Sequence, residues 1–116
     1  MGTPDFAVPI LKSINGSEHK ILCVYTQPAK KKDRGLKINS SPVQIYCEKN
    51  NLQFRCPKEL NNKELNNLES LKPDIVIVVA YGKIIPKEII EKNRIKFINI
   101  HASLLPKWRG AAPIQR

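Results

Sequence analysis

Residues 74–80 read DIVIVVA, and from Ile75 to Val79 every side chain is apolar and β-branched. A strand built from such a run has no face fit for water. It belongs in a parallel sheet covered on both sides, because parallel strands are joined by crossover helices that lie against the two faces. The rest of the chain must therefore supply further strands and the helices between them. ILCVYT at 21–26, LQFRC at 52–56 and KFINI at 96–100 read as those strands. Leu60, Leu65, Leu68 and Leu71 fall in one arc of a helix over about 58–72, and Val43 to Asn50 suits a helix entered through Ser40, Ser41 and Pro42. The alternation predicts an α/β domain with a Rossmann-like, mostly parallel sheet, flanking helices and right-handed crossovers.

At the front, Thr3-Pro4-Asp5 suits the N-cap, first-turn proline and dipole-favoured acid of a helix running on through Phe6, Val8, Ile10 and Leu11. That is the kind of turn that follows a strand, and no strand precedes it in the sequence. Since the first strand of a doubly wound sheet lies in its middle, the expectation is a chain that starts one strand late. Residues 27–41, QPAKKKDRGLKINSS, form a basic loop longer than most βα connections and so a candidate functional loop.

With 116 residues and 41% apolar content, the chain fits one domain with an ordinary core. No run approaches the roughly 18 apolar residues of a membrane span, and no charged-then-apolar leader opens the sequence. The expectation is a cytoplasmic protein with no membrane partner. Cys23, Cys47 and Cys56 are odd in number and lack CxxC spacing, which points away from a disulfide framework and from a zinc site. Twenty Lys and Arg against ten Asp and Glu leave a formal charge of +10. Such a charge either attracts polyanions at long range or merely solvates a Lys-rich surface. Position favours the first: Lys30, Lys31, Lys32, Arg34 and Lys37 crowd into the loop after a strand, where a cluster of cations can follow an RNA backbone.

The last stretch, FINIHASLLPKWRGAAPIQR at 97–116, begins as a strand and ends in polar chemistry. Side chains alternate along a strand, so Asn99 and His101 share one face while Ile98 and Ile100 share the other. Ligands of open α/β sheets bind beyond the carboxyl ends of the strands, where this pair falls. An Asn amide can donate to a developing oxyanion, and an imidazole can accept or return a proton near neutral pH. Together they suit acyl transfer through a tetrahedral intermediate. The bland alternative is a hydrogen-bonded turn. No GxSxG elbow and no acidic or second-His cluster at metal spacing is present, so a hydrolase triad and a metal hydrolase both lack parts.

The segment N-I-H-A-S-L-L-P-K-W-R-G-A-A-P-I-Q-R is similar to the signature of the folate-dependent formyltransferases, with Asn99, His101 and Ser103-Leu104-Leu105-Pro106 in register. MGTPDFAVPIL at 1–11, VYTQP at 24–28, SPV at 41–43 and VVAYGKIIPK at 78–87 also resemble that family, so the likeness covers nearly the whole chain. The TQP, SPV and GAAPIQR pieces resemble most the branch that acts on tRNA. The resemblance implies a formyltransferase fold, here the N-terminal part of a catalytic domain over 1–116, with its C-terminal part and the family's C-terminal tRNA-binding domain absent. It also implies transfer of a formyl group from 10-formyltetrahydrofolate to the α-amino group of methionyl-initiator tRNA, without a metal.

By the same resemblance Asn99 binds the carbonyl oxygen as it becomes negative, and His101 stabilises that charge and helps move the amine proton. Ser103, Leu104, Leu105 and Pro106, with the backbone around Tyr81 and Gly82, hold the folate. Lys30, Lys31, Lys32, Arg34, Gly35 and Lys37 resemble the family's tRNA loop, although AKKKDRGLKI departs from the more usual DRPAGRGKKL. Phe6 corresponds to the aromatic of the methionine site, or else is a helix core residue. The family's catalytic aspartate lies downstream of Arg116, so these residues alone are expected to transfer little formyl group. A monomer is expected. The competing readings are a sister formyltransferase acting on a small amine such as an amino sugar, and a non-catalytic basic RNA-binding module.

Overall fold

The computed structural model describes residues 1–32, 37–92 and 95–100. In chain order the elements are α1 (Ala7–Asn15), β1 (Val24–Tyr25), β2 (Lys30–Lys32), β3 (Lys37–Asn39), α2 (Pro42–Lys49), β4 (Phe54–Arg55), α3 (Asn62–Leu71), β5 (Ile75–Val78), α4 (Lys87–Lys92) and β6 (Lys96–Asn99). The α/β class expected from the sequence is what the chain forms.

Two parallel ladders carry the architecture. β1 pairs with β4, setting Val24 beside Phe54, and β5 pairs with β6 from Ile75 beside Lys96 to Val78 beside Asn99. Met1 and Gly2 lie between the two ladders. Gly2 forms a parallel bridge with Val79, the Val79 N–H donates to the Met1 carbonyl at 2.7 Å, and the Gly2 N–H donates to the Tyr25 carbonyl at 2.9 Å. Across the molecule the order is therefore β4, β1, the Met1–Gly2 segment, β5, β6. The first segment of the chain holds the middle, as a doubly wound sheet requires. The approach is close enough to exclude a side chain: a Cβ on Gly2 would stand 2.9 Å from the Val79 carbonyl oxygen and 3.1 Å from Ala7 Cβ.

The alternation of the strands divides the core in two. Tyr25, Val76, Val78 and Tyr81 pack with Leu60 and Leu68, and Phe97 lies against that group. Val24, Val79, Ala7, Val43 and Cys47 form the other cluster, against which Ile77 and Ile100 pack. Val76 and Val78 thus face α3 while Ile77 and Val79 face α1 and α2, which is the double burial that the DIVIVVA run demands. A cavity of about 50 Å³ between α1 and the sheet is walled by Ile10, Leu11, Ile14, Val43 and Ile77 among others, away from the strand ends where chemistry is expected.

Helix starts follow their caps. Ser41 Oγ accepts from the Gln44 N–H at 3.0 Å with Pro42 in the first turn of α2, and Asn61 Oδ1 accepts from the Glu64 N–H at 3.0 Å at the head of α3. α3 accordingly begins at Asn62, four residues later than its leucine pattern suggested, with the buried Leu60 ahead of it. Two readings of the sequence are corrected. Thr3 does not cap α1: the helix starts at Ala7 behind Phe6, and the N–H groups of Ala7 and Val8 are satisfied by the carbonyls of Pro4 and Asp5. The long loop is not wholly irregular, because β2 and β3 pair antiparallel within it, Lys30 beside Asn39 and Lys32 beside Lys37.

Candidate functional site

The strands of a parallel sheet all end on one edge, and here four segments leave it there: Thr3 after Gly2, Thr26 and Gln27 after β1, Ala80 to Gly82 after β5, and Ile100 after β6. The order reverses between the Met1–Gly2 segment and β5, so the crevice where ligands of such sheets bind lies between Thr3 and the residues after Val79.

Three residues fasten that crevice. Thr3 Oγ1 donates to the Tyr81 carbonyl at 2.7 Å, Gln27 Nε2 donates to the same carbonyl at 3.0 Å, and the Gln27 N–H donates to Thr3 Oγ1 at 3.4 Å. The Tyr81 carbonyl spends both lone pairs here, and the Tyr81 ring is buried at 2% exposure. The turn that follows is left-handed at Gly82, φ 83°, after Ala80 at φ 49°. A Cβ on Gly82 would also stand 1.9 Å from Gln27 Nε2, so conformation and space both call for glycine. Gly82 itself is exposed, and Ile84 beyond it is 87% exposed. Sequence reading singled out Tyr81 and Gly82 but missed Thr3 and Gln27. A local signal exists for Gln27 alone, a polar residue just past a strand, because no strand is legible ahead of Thr3.

Asn99 ends β6 opposite Val78, and the Ile100 N–H carries the ladder one step further to the Val78 carbonyl at 2.8 Å. Register and alternation put Asn99 on the side of Phe97 and Val78, and Ile100 on the other, where it packs against the α1 and α2 cluster. Asn99 is exposed at the edge. His101, Ser103, Leu104, Leu105 and Pro106 lie outside the described residues, as do Arg34 and Gly35 of the basic loop. Phe6, 42% exposed at the head of α1, is not a core residue. Lys30 is exposed on β2, and the backbones of Lys31, Lys32 and Lys37 belong to the ribbon. Along that ribbon the backbone of Lys32 pairs with that of Lys37.

The base of that ribbon is fixed. Thr26, fully buried, and Ser41, the cap of α2, stand hydroxyl to hydroxyl at 2.7 Å. Burial pushes the Tyr81 phenol up to about 12 and the Cys47 thiol up to about 11, and raises Cys23 and Cys56 for the same reason. These groups therefore stay neutral at physiological pH and are unsuited to acid–base or nucleophilic work there. Among the described residues no three His, Cys, Asp or Glu gather as metal ligands, and no helix is long and apolar enough to cross a membrane.

Residues 1–116 match the protein family described as formyl transferase. The chain is 60% identical over 118 aligned positions to the methionyl-tRNA formyltransferase of Pelagibacter ubique, covering all of this chain and 38% of that protein. It is 50% identical to the enzyme of that name from Sulfurihydrogenibium sp., covering 99% of this chain and 38% of the relative. It is also 50% identical to that of Clostridioides difficile, covering 98% and 37%. The chain thus spans a little over a third of the length of these curated relatives.

Proposed function

The chain belongs to the formyl transferase family, and from that premise we propose that it is part of the catalytic domain of an enzyme that formylates methionyl-initiator tRNA. The fold is then the Rossmann-like formyltransferase sheet, with the site at its carboxyl edge. The observation that carries the reading is Asn99, exposed at the end of β6 on the same carboxyl edge of the sheet as the crevice, where its amide can donate to an oxygen that gains charge.

The donor is 10-formyltetrahydrofolate, which supplies a formyl group activated on nitrogen. The described residues fit such a molecule: the exposed main chain at Gly82 offers polar groups, and Ile84, 87% exposed, offers an apolar surface for a flat ring. Ser103, Leu104, Leu105 and Pro106 complete that pocket. The amine of methionine attacks the formyl carbon, forming one C–N bond as the C–N bond to the donor breaks. Asn99 donates to the formyl oxygen as it becomes negative. His101 stabilises the same charge and takes the proton that the attacking amine must lose, returning it to the departing nitrogen. Phe6, exposed at the head of α1, receives the methionine side chain. Lys30, Lys31, Lys32, Arg34, Gly35 and Lys37 hold the RNA backbone.

The test is formylation by the full-length protein containing this chain, comparing methionyl-tRNA with an amino-sugar nucleotide as acceptor and 10-formyltetrahydrofolate as donor. Turnover of methionyl-tRNA that falls on Asn99→Ala or His101→Ala supports the assignment. Preference for the amino sugar would replace it with a sister reaction, and RNA binding indifferent to folate would replace it with a non-catalytic module.

A further inference from the structure

Gln27 stands where two parts of the candidate site meet. One residue before it, the Thr26 hydroxyl is tied to Ser41 across the base of the basic ribbon, and β2 begins at Lys30. Its own side chain reaches the other way, to the carbonyl of Tyr81, 54 positions along the chain. A carbonyl only accepts, so the atom that Gln27 turns toward it must be Nε2, and the amide orientation is set by chemistry. Thr3 closes the ring by accepting from the Gln27 N–H and donating to the same carbonyl. The turn thus held passes through two left-handed residues, Ala80 and Gly82, and needs an anchor to keep that shape.

Resting on the function proposed above, we infer that Gln27 is a positioning residue: with Thr3 it holds the Tyr81–Gly82 turn in the form that receives the formyl donor, and it ties that form to the base of the basic ribbon. The ring is short, three residues from three segments, so no long chain of contacts is invoked. A polyanion bound at the ribbon then stiffens the turn, and a donor in the turn stiffens the ribbon. Such coupling is reciprocal: each ligand tightens the other by the same factor.

The experiment uses the full-length protein with Gln27→Leu, which keeps volume and removes the donor, Thr3→Val, and the conservative Thr3→Ser. Loss of one such hydrogen bond should raise KM for 10-formyltetrahydrofolate about tenfold while kcat moves less than about threefold, and Thr3→Ser should restore the wild-type value. Donor affinity measured with and without uncharged initiator tRNA should differ about fivefold in the wild type and not at all in Gln27→Leu. An unchanged donor KM in both Gln27→Leu and Thr3→Val, with melting temperatures intact, would overturn the inference. Equal donor affinity with and without tRNA in the wild type would remove its coupling part.

A readout without ligands separates this from the proposed reaction. Hydrogen exchange at the residue-27 amide, which donates to Thr3 Oγ1, should accelerate about tenfold in Thr3→Val and in Gln27→Leu, since either change opens the ring. Unchanged exchange sinks the positioning role in folded protein whatever the activity. A wild type that exchanges as expected yet formylates nothing counts against the reaction and not against the ring. Where Gln27→Leu folds poorly, Gly82→Ala takes its place: its new methyl meets Gln27 Nε2, so it should lose less stability in a Gln27→Ala background than in the wild type, and additive losses would contradict the contact.

Discussion

Thr26 Oγ1 and Ser41 Oγ lie 2.7 Å apart in the protein interior, joining the end of β1 to the first turn of α2 and closing the base of the lysine ribbon between them. The two partners are not equivalent. Ser41 also accepts from the Gln44 N–H, whereas Thr26 is fully buried and relies on Ser41.

Unequal costs follow. Ser41→Ala removes a helix cap, worth about 1 kcal/mol, and leaves the buried Thr26 hydroxyl unpaired, at about 1–3 kcal/mol more. Thr26→Val leaves the cap intact and should cost about 1 kcal/mol or less. Chemical denaturation of the two variants and the double variant measures this. The double variant should lose less than the two single losses combined, because the unpaired hydroxyl is removed along with its partner.

Arg55 on β4 and Glu64 on α3 form a two-point pair, Nε to Oε1 and Nη2 to Oε2, each at 3.0 Å. Hydrogen bonding from Arg55, ahead of its charge, holds the Glu64 carboxyl below its ordinary range. A depressed folded pKa gives stability that is fully present above the unfolded value of about 4.3 and is lost as pH falls through the folded one. Acid titration of the unfolding midpoint should therefore show a loss beginning near pH 4 that Glu64→Gln flattens. Arg55 is partly exposed, so the pair is worth at most about 1 kcal/mol.

The ribbon predicts a salt signature. Lys30 is exposed on β2, and each phosphate contact it makes releases a counter-ion. Binding of the full-length protein to initiator tRNA, followed from about 50 to 200 mM salt, should weaken steeply. Lys30→Gln should reduce the slope of log K against log salt by about 0.7–0.9, with little change in melting temperature. An unchanged slope would take Lys30 off the RNA.

What is legible in the sequence divides by range of interaction. Ile75 to Val79 announced a doubly covered strand because burial on two faces leaves a purely local record, and Ser41-Pro42 announced a helix start because a cap bonds within three residues. Thr3 misled for the opposite reason: its hydroxyl suits a cap, but the Tyr81 carbonyl, 78 positions away, claimed it. Gln27 was silent for the same cause. The ribbon at Lys30–Lys32 and Lys37–Asn39 was hidden because lysine has little strand preference, and cross-strand pairing overrode it. Of the site itself, residue types at strand ends were legible, while the bonds that set their positions joined distant segments.

Asn99 offers the sharpest separation of chemistry from folding. It lies at the edge of the sheet, exposed, after a ladder that Ile77 beside Ile98 and the Ile100 N–H bond maintain without it. Truncating an exposed edge side chain costs about 0.5 kcal/mol or less. Removing a donor to a developing oxyanion costs about a hundredfold to a thousandfold in kcat. Asn99→Ala in the full-length protein should therefore melt within a degree or two of the wild type and bind donor and methionyl-tRNA nearly as well, while kcat for formyl transfer collapses. Asn99→Asp should fare no better, because a carboxylate set against an oxygen gaining negative charge repels it. Should either variant retain near wild-type kcat, Asn99 is only a polar residue at a strand end, and the charge is stabilised elsewhere.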